Sequence, residues 1–278
     1  MRTYGPIVDG ISASRVHDHV AAVGRGSAEL ARTATQAFAA AATDDALVLC
    51  LDTAETDWDP YRAFDREITS GRLRVVDNAT AYAAFGESDG AGLLRQWDAV
   101  LDQALSDGYG GIRVVADNSA VLTGTDVDFG RWLEWEQRTD RWQAQRPVVG
   151  VCWFDRSRVP EDRLAAVTRR HPASVGEVTP TWRLGHEHDD GHVTLVLSGD
   201  LDAFDAEDIA LALEIELLLV PDGASIDIDV VDVGYMHHRV LWEVTSTSVA
   251  DRLHLRNASP AIRRTYELLA DSVRAGRL

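Results

Sequence analysis

The sequence predicts an α/β protein with two domains, an N-terminal, mainly parallel sheet flanked by helices and a smaller C-terminal α/β domain. Short apolar runs alternate with amphipathic or alanine-rich stretches along most of the chain. Apolar residues make up 45% of the 278 residues, which is enough for two cores. Strands that alternate with helices favour parallel pairing, with helices on both faces of the sheet.

Composition narrows the range of functions. The formal net charge is −18 and the isoelectric point is about 4.8. A surface this acidic repels nucleic-acid phosphates and anionic membranes, so neither is an expected partner. The two cysteines, Cys50 and Cys152, lie in apolar runs and indicate no disulfide framework. Neither a signal peptide nor a membrane-spanning run is visible, and we expect a cytoplasmic protein.

The first half of the chain reads as alternating strands and helices, after a lead of 17 residues that we expect to be flexible or an early edge strand. The run at 19–23 is the first buried strand, and an alanine-rich helix follows with Ser27 as its N-cap. Next come a strand at 46–51, a helix at 60–69 stopped by Gly71, and a strand at 73–76.

The pattern continues to residue 170. Leu94, Trp97 and Leu101 share one face of a helix that ends at the glycines 108, 110 and 111. The remaining elements are a strand at 112–116, a helix at about 128–145, a strand at 148–154 and a helix from Pro160 to about Arg170.

Polar residues follow several of these strands. In parallel α/β sheets, ligands bind outside the carboxyl ends of the strands. A binding role is therefore one interpretation of these residues, and ordinary polar strand exits are the other. They are Asp52, Asp77, Asp117, Asn118 and Asp155.

Four sequence blocks resemble the MEDS family of sensory domains. They are G-Y-G-G-I-R-V-V-A-D-N-S at 108–119, W-L-E-W-E at 132–136, V-V-G-V-C-W-F-D-R at 148–156 and R-R-H-P at 169–172. The resemblance implies a domain at 17–173 that senses small hydrocarbon derivatives. It also implies a fold like a degenerate RecA-type P-loop domain.

A small-molecule pocket is predicted beside the helix at 128–145. Trp132, Trp135 and Trp142 lie near one helix face, and we expect Trp153 of a neighbouring strand to join them around an apolar ligand. The alternative is that the tryptophans only form the core face of the helix. The polar groups predicted to orient a ligand are Asp117, Asn118, Glu136 and Asp155.

Nucleotide hydrolysis is not expected. The turn at 24–27 occupies the place of a P-loop, but a working P-loop needs a lysine on the β- and γ-phosphates. The sequence contains no lysine. A nucleotide-binding protein nevertheless stays open as the rival hypothesis.

The last third of the chain resembles a STAS domain, the fold of anti-sigma factor antagonists, over about 177–273. The matching features are a strand at 192–197, S-G-D-L-D at 198–202, a strand at 226–231 that leads into D-V-V-D-V-G-Y-M-H-H-R-V-L-W at 229–242, and the turn at 236–239. Phospho-regulated members carry Asp-Ser-Ser-Gly at this turn, whereas here His237, His238 and Arg239 occupy the first three positions. None can accept a phosphate ester on a hydroxyl oxygen. The resemblance implies a partner surface formed by Asp202, His237, His238 and Arg239.

The run H-E-H-D-D-G-H at 186–192 could ligate a divalent metal, but we expect a solvated linker or hairpin tip. The sequence shows no catalytic signature, and it predicts no cofactor or metal.

The predicted function is a non-enzymatic signalling regulator. Its first domain would sense a small apolar molecule, and its second would bind an anti-sigma factor or the kinase domain of one. A scaffold with a purely structural first domain is a further alternative, and a homodimer stays open.

Overall fold

The computed structural model describes residues 2–41, 44–81, 90–189, 192–221, 224–246 and 252–274. The chain divides into two compact units, Met1–Thr179 and Pro180–Leu278. The predicted two-domain α/β class is confirmed by a seven-stranded sheet in the first unit and a four-stranded sheet in the second. The limits predicted for the domains, 17–173 and 177–273, stay predictions.

The first unit is built on a sheet in which every pairing is parallel, in the order β1-β7-β2-β6-β5-β3-β4. Its central strands are almost wholly buried, and because side chains alternate along a strand, each of them contributes apolar side chains to both faces. They are β1 (Gly5–Pro6), β2 (His19–Gly24), β3 (Asp45–Leu51), β4 (Leu73–Asp77), β5 (Gly111–Asp117), β6 (Val148–Asp155) and β7 (Ala173–Gly176).

Helices cover both faces of this sheet. The first face packs against helix α1 and a 3₁₀-helix at Asp59–Phe64, and the opposite face packs against α4 and α5. Strands β2 and β6 are neighbours, and side chains alternate along each of them. The helices of this unit are α1 (Gly26–Ala39), α2 (Asp65–Thr69), α3 (Asn78–Ala81), α4 (Gly90–Ser106), α5 (Asp126–Gln143) and α6 (Glu161–Arg169).

The second unit is a mixed four-stranded sheet in the order β11-β10-β9-β8. Strand β8 pairs antiparallel with β9, and the other pairings are parallel. Its core gathers apolar residues of the sheet and of three helices. The elements are β8 (Trp182–Asp189), β9 (His192–Leu201), α7 (Ala206–Leu219), β10 (Ile226–Met236), α8 (His238–Ser246), β11 (Leu253–Arg256) and α9 (Pro260–Arg274).

Three strands differ from the sequence prediction. The short strand β7 was not predicted, because its four residues follow a proline and show no period. Strand β8 occupies most of the segment predicted as a linker. Strand β10 runs five residues beyond the predicted 226–231, because two bulges interrupt its alternation, between Asp229 and Asp232 and between Val233 and Tyr235.

Within the described residues, no helix is long and apolar enough to cross a lipid bilayer.

Candidate functional site

Helix α5 presents a polar stripe to the interior. A capping box starts the helix: Thr125 accepts a hydrogen bond from the backbone N–H of Asp128, and the Asp128 carboxylate accepts from Thr125. Beyond it, Glu136, Asp140 and Gln143 recur at spacings of four and three residues and are all buried. Polar side chains on the buried face of a helix require partners, so this stripe points to a built polar site.

Four donor atoms from four segments converge beneath this stripe. His19 begins β2, Cys152 lies in β6, Glu136 lies on α5 and His171 follows α6. The Nε2 atom of His19 lies 3.4 Å from the Cys152 sulfur and 3.5 Å from Glu136 Oε2. The Nε2 atom of His171 lies 3.5 Å from the same Glu136 oxygen. The ligand atoms of all four residues lie within 4.8 Å of one another. We call these four residues the α5 cluster.

The second nitrogen of each imidazole in the α5 cluster has its own contact. His19 Nδ1 lies 3.3 Å from the Asp140 carboxylate, which is also paired with the buried Arg2 guanidinium. His171 Nδ1 lies 2.8 Å from the carbonyl oxygen of Val167, one turn earlier in α6. These contacts orient both rings so that their Nε2 atoms face Glu136. The two rings lie 4.0 Å apart between centroids.

Burial shifts the acid–base properties of the α5 cluster. It raises the pKa of Glu136 to about 8. A hydrogen bond with Trp132 lowers this pKa, the charge of Asp140 raises it further, and the charge of Arg170 lowers it. Burial is also the main reason that the pKa of Cys152 lies well above its usual value, and the nearby Glu136 carboxyl is the second reason. At neutral pH both groups are therefore mostly protonated in the protein alone.

A pocket adjoins the α5 cluster on the same face of the sheet. It has a volume of about 40 Å³, room for about three water molecules, and is mostly apolar. Glu136 and Cys152 contribute to its wall, so the α5 cluster can be reached from it. Its other lining residues are Trp97, Val114, Ala116, Asn118, Trp135, Thr139, Trp142, Gln143, Val148, Gly150 and Val151.

The predicted ligand-binding residues lie in four different places. Asn118, Trp135 and Glu136 line the pocket. Trp132 is fully buried one helical turn before Glu136 and is not part of the lining. Trp153 packs on the opposite face, against α1, where it lines a separate pocket of about 170 Å³. The expectation that Trp153 shares a pocket with Trp135 and Trp142 was therefore wrong, because residues 152 and 153 of a strand point to opposite faces.

The other two predicted residues, Asp117 and Asp155, lie at the carboxyl edge of the sheet and bond to the adjacent loops. Asp155 accepts hydrogen bonds from the backbone N–H of Gly26 at 3.0 Å and from the Ser157 hydroxyl at 2.6 Å. Asp117 accepts from the Ser119 hydroxyl at 2.5 Å. Burial works to raise the pKa of Asp155, but the hydrogen bonds from Ser157 and Gly26 outweigh it and lower that pKa.

At the start of α1, backbone N–H groups likewise donate hydrogen bonds to carboxylates of the chain itself. The carboxylate of Glu29 accepts from the backbone N–H of Arg25 at 2.7 Å, beside the contact between Asp155 and Gly26. A P-loop would use backbone N–H groups here to hold phosphate. In addition, a β-carbon on Gly24 would come within 2.3 Å of the Trp153 ring, so the indole occupies the space above this turn. The chain's own carboxylates thus stand where a nucleotide phosphate would be expected.

In the second unit, the predicted partner residues surround the start of α8. His237 is the single residue between β10 and α8, and its backbone N–H donates to the carbonyl of Leu201 at 2.8 Å. The exposed Arg239 pairs with Glu207 at 2.9 Å, and the His237 and His238 rings lie 4.1 Å apart. Asp202 accepts from the backbone N–H of Phe204 in the loop before α7.

The histidine-rich run at 186–192 forms the β8–β9 hairpin, apart from residues 190–191, which lie outside the described residues. His186 is fully buried and lies 2.9 Å from Glu216 of α7, so the expectation of a solvated segment was wrong for this residue. His192 pairs with Asp227 at 2.8 Å on the surface. In the part of the chain that the structure describes, the α5 cluster is the group whose donor atoms converge as metal ligands would, and the hairpin histidines do not belong to it.

Comparison with known proteins identifies the first unit. Residues 18–172, more than half of the chain, match the family described as MEDS, the methanogen/methylotroph, DcmR sensory domain. The chain belongs to the MEDS family. The MEDS match includes all four residues of the α5 cluster and ends before the second unit.

Other comparisons add little to the MEDS assignment. No curated protein matches the chain. Among solved structures, the flagellar accessory protein FlaH from Methanocaldococcus jannaschii is 12% identical, with a TM-score of 0.34, over 69% of this chain and 81% of that chain. A likeness of this size supports no statement about function.

Sequence reasoning found Glu136 but missed its neighbours. The sequence analysis assigned no functional role to Cys152, His19, Asp140 or His171. A usable signal was present in α5, where Glu136 and Asp140 follow Trp132 by four and eight residues. Two carboxylates in register with a buried tryptophan indicate a polar interior face. The approach of His19, Cys152 and His171 depends on strand order, which spacing does not reveal.

Proposed function

We propose that this MEDS protein is a non-enzymatic signalling regulator whose first unit binds a small, mostly apolar molecule in the pocket between the sheet and helices α4 and α5. The observation that carries the proposal is the pocket itself. It combines an apolar wall with a few polar groups, which is the composition of small-molecule sites. Membership of a sensory family supports the same conclusion.

The size and polarity of the pocket limit the ligand. A volume of about 40 Å³ admits a molecule of a few heavy atoms unless side chains move. Three indoles, those of Trp97, Trp135 and Trp142, supply apolar contact. Asn118 and the protonated Glu136 can hydrogen-bond one polar group. A short-chain alcohol, aldehyde or halogenated hydrocarbon has this combination.

Tryptophan fluorescence and thermal melting of the full chain test ligand binding. Alcohols, aldehydes and halogenated hydrocarbons of one to four carbons are screened beside ATP with magnesium. A ligand that binds the folded protein raises the melting temperature, and at 100 times its Kd the stabilisation is about 2.7 kcal/mol. We expect saturable shifts with a small compound and none with ATP.

A pair of variants identifies the site. Ala116→Val adds volume inside the pocket, whereas Ala104→Val changes a buried alanine of α4 on the same face but outside the pocket lining. We expect Ala116→Val to abolish the ligand shift and Ala104→Val to retain it. Equal responses of the two variants, or a saturable response to ATP alone, would contradict the proposal.

We further infer that the second unit is a STAS-like module that binds an anti-sigma factor or its kinase domain. The order β9, α7, β10, α8, β11, α9 supports this, as do the exposed side chains His238 and Arg239 at the start of α8. Arg239 already pairs with the exposed Glu207, and a partner carboxylate could replace it there.

Binding of purified anti-sigma factors from the source organism tests this surface. The variant His238→Ala/Arg239→Ala is expected to weaken binding at least about tenfold, whereas Arg263→Ala/Arg264→Ala, a surface change on α9, leaves it unchanged. If both variants bind like the wild type, the start of α8 is not the partner surface.

A further inference from the structure

We propose that His19, Glu136, Cys152 and His171 form a tetrahedral site for a zinc-type divalent cation. The proposal does not depend on small-molecule sensing. It rests on four observations: the donor set, the distances between donor atoms, the contacts behind the ligands and the route from the pocket.

The donor set suits Zn²⁺. Two imidazole nitrogens, one carboxylate oxygen and one cysteine sulfur are the ligand types that Zn²⁺ takes in proteins, four at a time. Calcium and magnesium prefer oxygen ligands throughout and are disfavoured by this set. With the thiol and the carboxyl both deprotonated and both imidazoles neutral, the four ligands carry two negative charges, which a divalent cation neutralises.

Three of the six distances between donor atoms match the edges of a zinc tetrahedron, and all six are within 4.8 Å. Bonds of about 2.0–2.1 Å to nitrogen or oxygen and about 2.3 Å to sulfur, at tetrahedral angles, place the ligand atoms about 3.3–3.6 Å apart. The measured separations are 3.4 Å from His19 Nε2 to Cys152 Sγ and 3.5 Å from His19 Nε2 to Glu136 Oε2. The separation from His171 Nε2 to Glu136 Oε2 is also 3.5 Å. Small side-chain movements would place a cation among the four atoms.

The groups behind the imidazoles are those of a metal site. His19 Nδ1 faces the Asp140 carboxylate and His171 Nδ1 faces a backbone carbonyl. Each of these acceptors favours a proton on Nδ1, which leaves the Nε2 lone pair directed at the cation. Arg2 neutralises Asp140, so the carboxylate orients His19 without adding a net charge. The guanidinium of Arg170 lies near Glu136 and opposes cation binding, which the two negative ligands must outweigh.

The pocket supplies a route to the site. Glu136 and Cys152 both line it, so two of the four ligands face the cavity through which a cation would enter. Binding replaces the protons of these two groups, and the protons leave to solvent. The pocket and the proposed cation site therefore share a wall.

Cobalt(II) titration of the full chain, freed of any histidine tag, tests the site. Tetrahedral Co²⁺ with one thiolate ligand gives an intense visible band and a sulfur-to-metal charge-transfer band in the near ultraviolet. We expect both bands to saturate at about one Co²⁺ per chain and to be displaced by Zn²⁺. Elemental analysis after dialysis against Zn²⁺ should find about one zinc per chain.

Two cysteine variants provide the matched comparison. Cys152→Ser is expected to abolish the charge-transfer band, and Cys50→Ser, which changes the other buried cysteine outside the α5 cluster, is expected to retain it. If Cys152→Ser does not fold, as judged by circular dichroism, His171→Gln serves as the second variant and is expected to weaken zinc binding at least about tenfold.

Several outcomes would overturn the proposal. They are zinc retention well below one per chain, octahedral cobalt spectra without a charge-transfer band, a band that persists in Cys152→Ser, or zinc binding that His171→Gln leaves unchanged. A failed screen of small organic compounds would bear only on the sensing proposal, because the cobalt titration is read without them.

Discussion

The carboxyl edge of the first sheet and the face beneath α5 are two polar regions of the same domain, and they are built differently. At the edge, each carboxylate bonds to backbone and hydroxyl groups in the adjacent loops, as Asp155 does with Gly26 and Ser157. Beneath α5, polar groups from four separate segments meet at one point and adjoin a pocket. Polar groups at the edge form hydrogen bonds with the adjacent loops, whereas the donor atoms of the α5 cluster point towards a common centre.

This contrast separates structural polar groups from functional ones. A carboxylate that is saturated by its own loop has little capacity left for a ligand. A cluster assembled from four distant segments is not explained by any one turn or helix cap, and the fold must bear the cost of burying it. The buried pair of His186 and Glu216 in the second unit resembles the edge in this respect, because it joins one donor to one acceptor at 2.9 Å.

The largest expected effect comes from Asp140, behind the α5 cluster. Asp140→Ala leaves the buried Arg2 guanidinium without its carboxylate and removes the contact to His19. Breaking a buried ion pair costs about 3–5 kcal/mol, and we expect a loss of that order in the free energy of unfolding of the first unit. Urea denaturation followed by circular dichroism measures it.

Asp98→Ala is the matched control for Asp140→Ala. Asp98 accepts from the Trp142 indole at 2.8 Å, but its side chain is 39% exposed. We expect a loss of about 1 kcal/mol. Comparable losses for the two variants would remove the distinction between the interior cluster and an ordinary half-exposed hydrogen bond.

A smaller, pH-dependent effect is expected at the edge. Asp155→Asn weakens the hydrogen bonds from Gly26 and Ser157, and we expect a loss of about 1–2 kcal/mol at pH 7. Because the folded protein lowers the pKa of Asp155, its contribution is complete above the unfolded pKa of about 3.9. The contribution disappears as the pH falls through the lower, folded pKa.

Denaturation of wild type and Asp155→Asn between pH 7 and pH 2 tests this sign. The difference in unfolding free energy should shrink as acid is added. A difference that stays constant to pH 2, or grows, would show that the ionised form of Asp155 does not stabilise the turn.

The smallest expected effect concerns Cys50, which shares a sheet face with Cys152 but not its cluster. Burial raises the pKa of Cys50 to about 12 from 9.0, which lowers the thiolate fraction about a thousandfold. In Cys152→Ser, where Cys50 is the one thiol of the chain, we expect labelling by a thiol reagent at pH 8 to be correspondingly slow. Rapid labelling of the folded protein would show that this face opens to solvent.

Much of the fold was predictable because periodicity is local. The strands and helices of the first unit follow apolar runs and an alanine-rich stretch, and the alternation itself predicts parallel pairing. Asn118, Trp135 and Glu136 line one pocket and lie on adjoining predicted elements, and their role in binding a ligand stays a prediction.

The α5 cluster was not predictable in the same way. His19 and His171 are 152 positions apart by the sequence numbering, and their approach follows from β2 and β7 being neighbours in the sheet. Sequence spacing does not reveal that order. The sheet face on which Trp153 lies could not be predicted either. The strand is apolar on both sides, so its sequence does not show which residues point towards α1 and which towards α5.

Strand β10 carries a consequence for the evolution of the second unit. From Asp229 to Tyr235 the strand advances six residues, while its partner β9 advances four, because Asp229 pairs with Val196 and Tyr235 pairs with Asp200. The strand has therefore accommodated two additional residues while Ile228, Val230, Val233 and Met236 all stay in the core. We expect that a residue can be gained or lost here without displacing the helix that follows. Insertions and deletions at this strand should thus be tolerated where those in β9 are not.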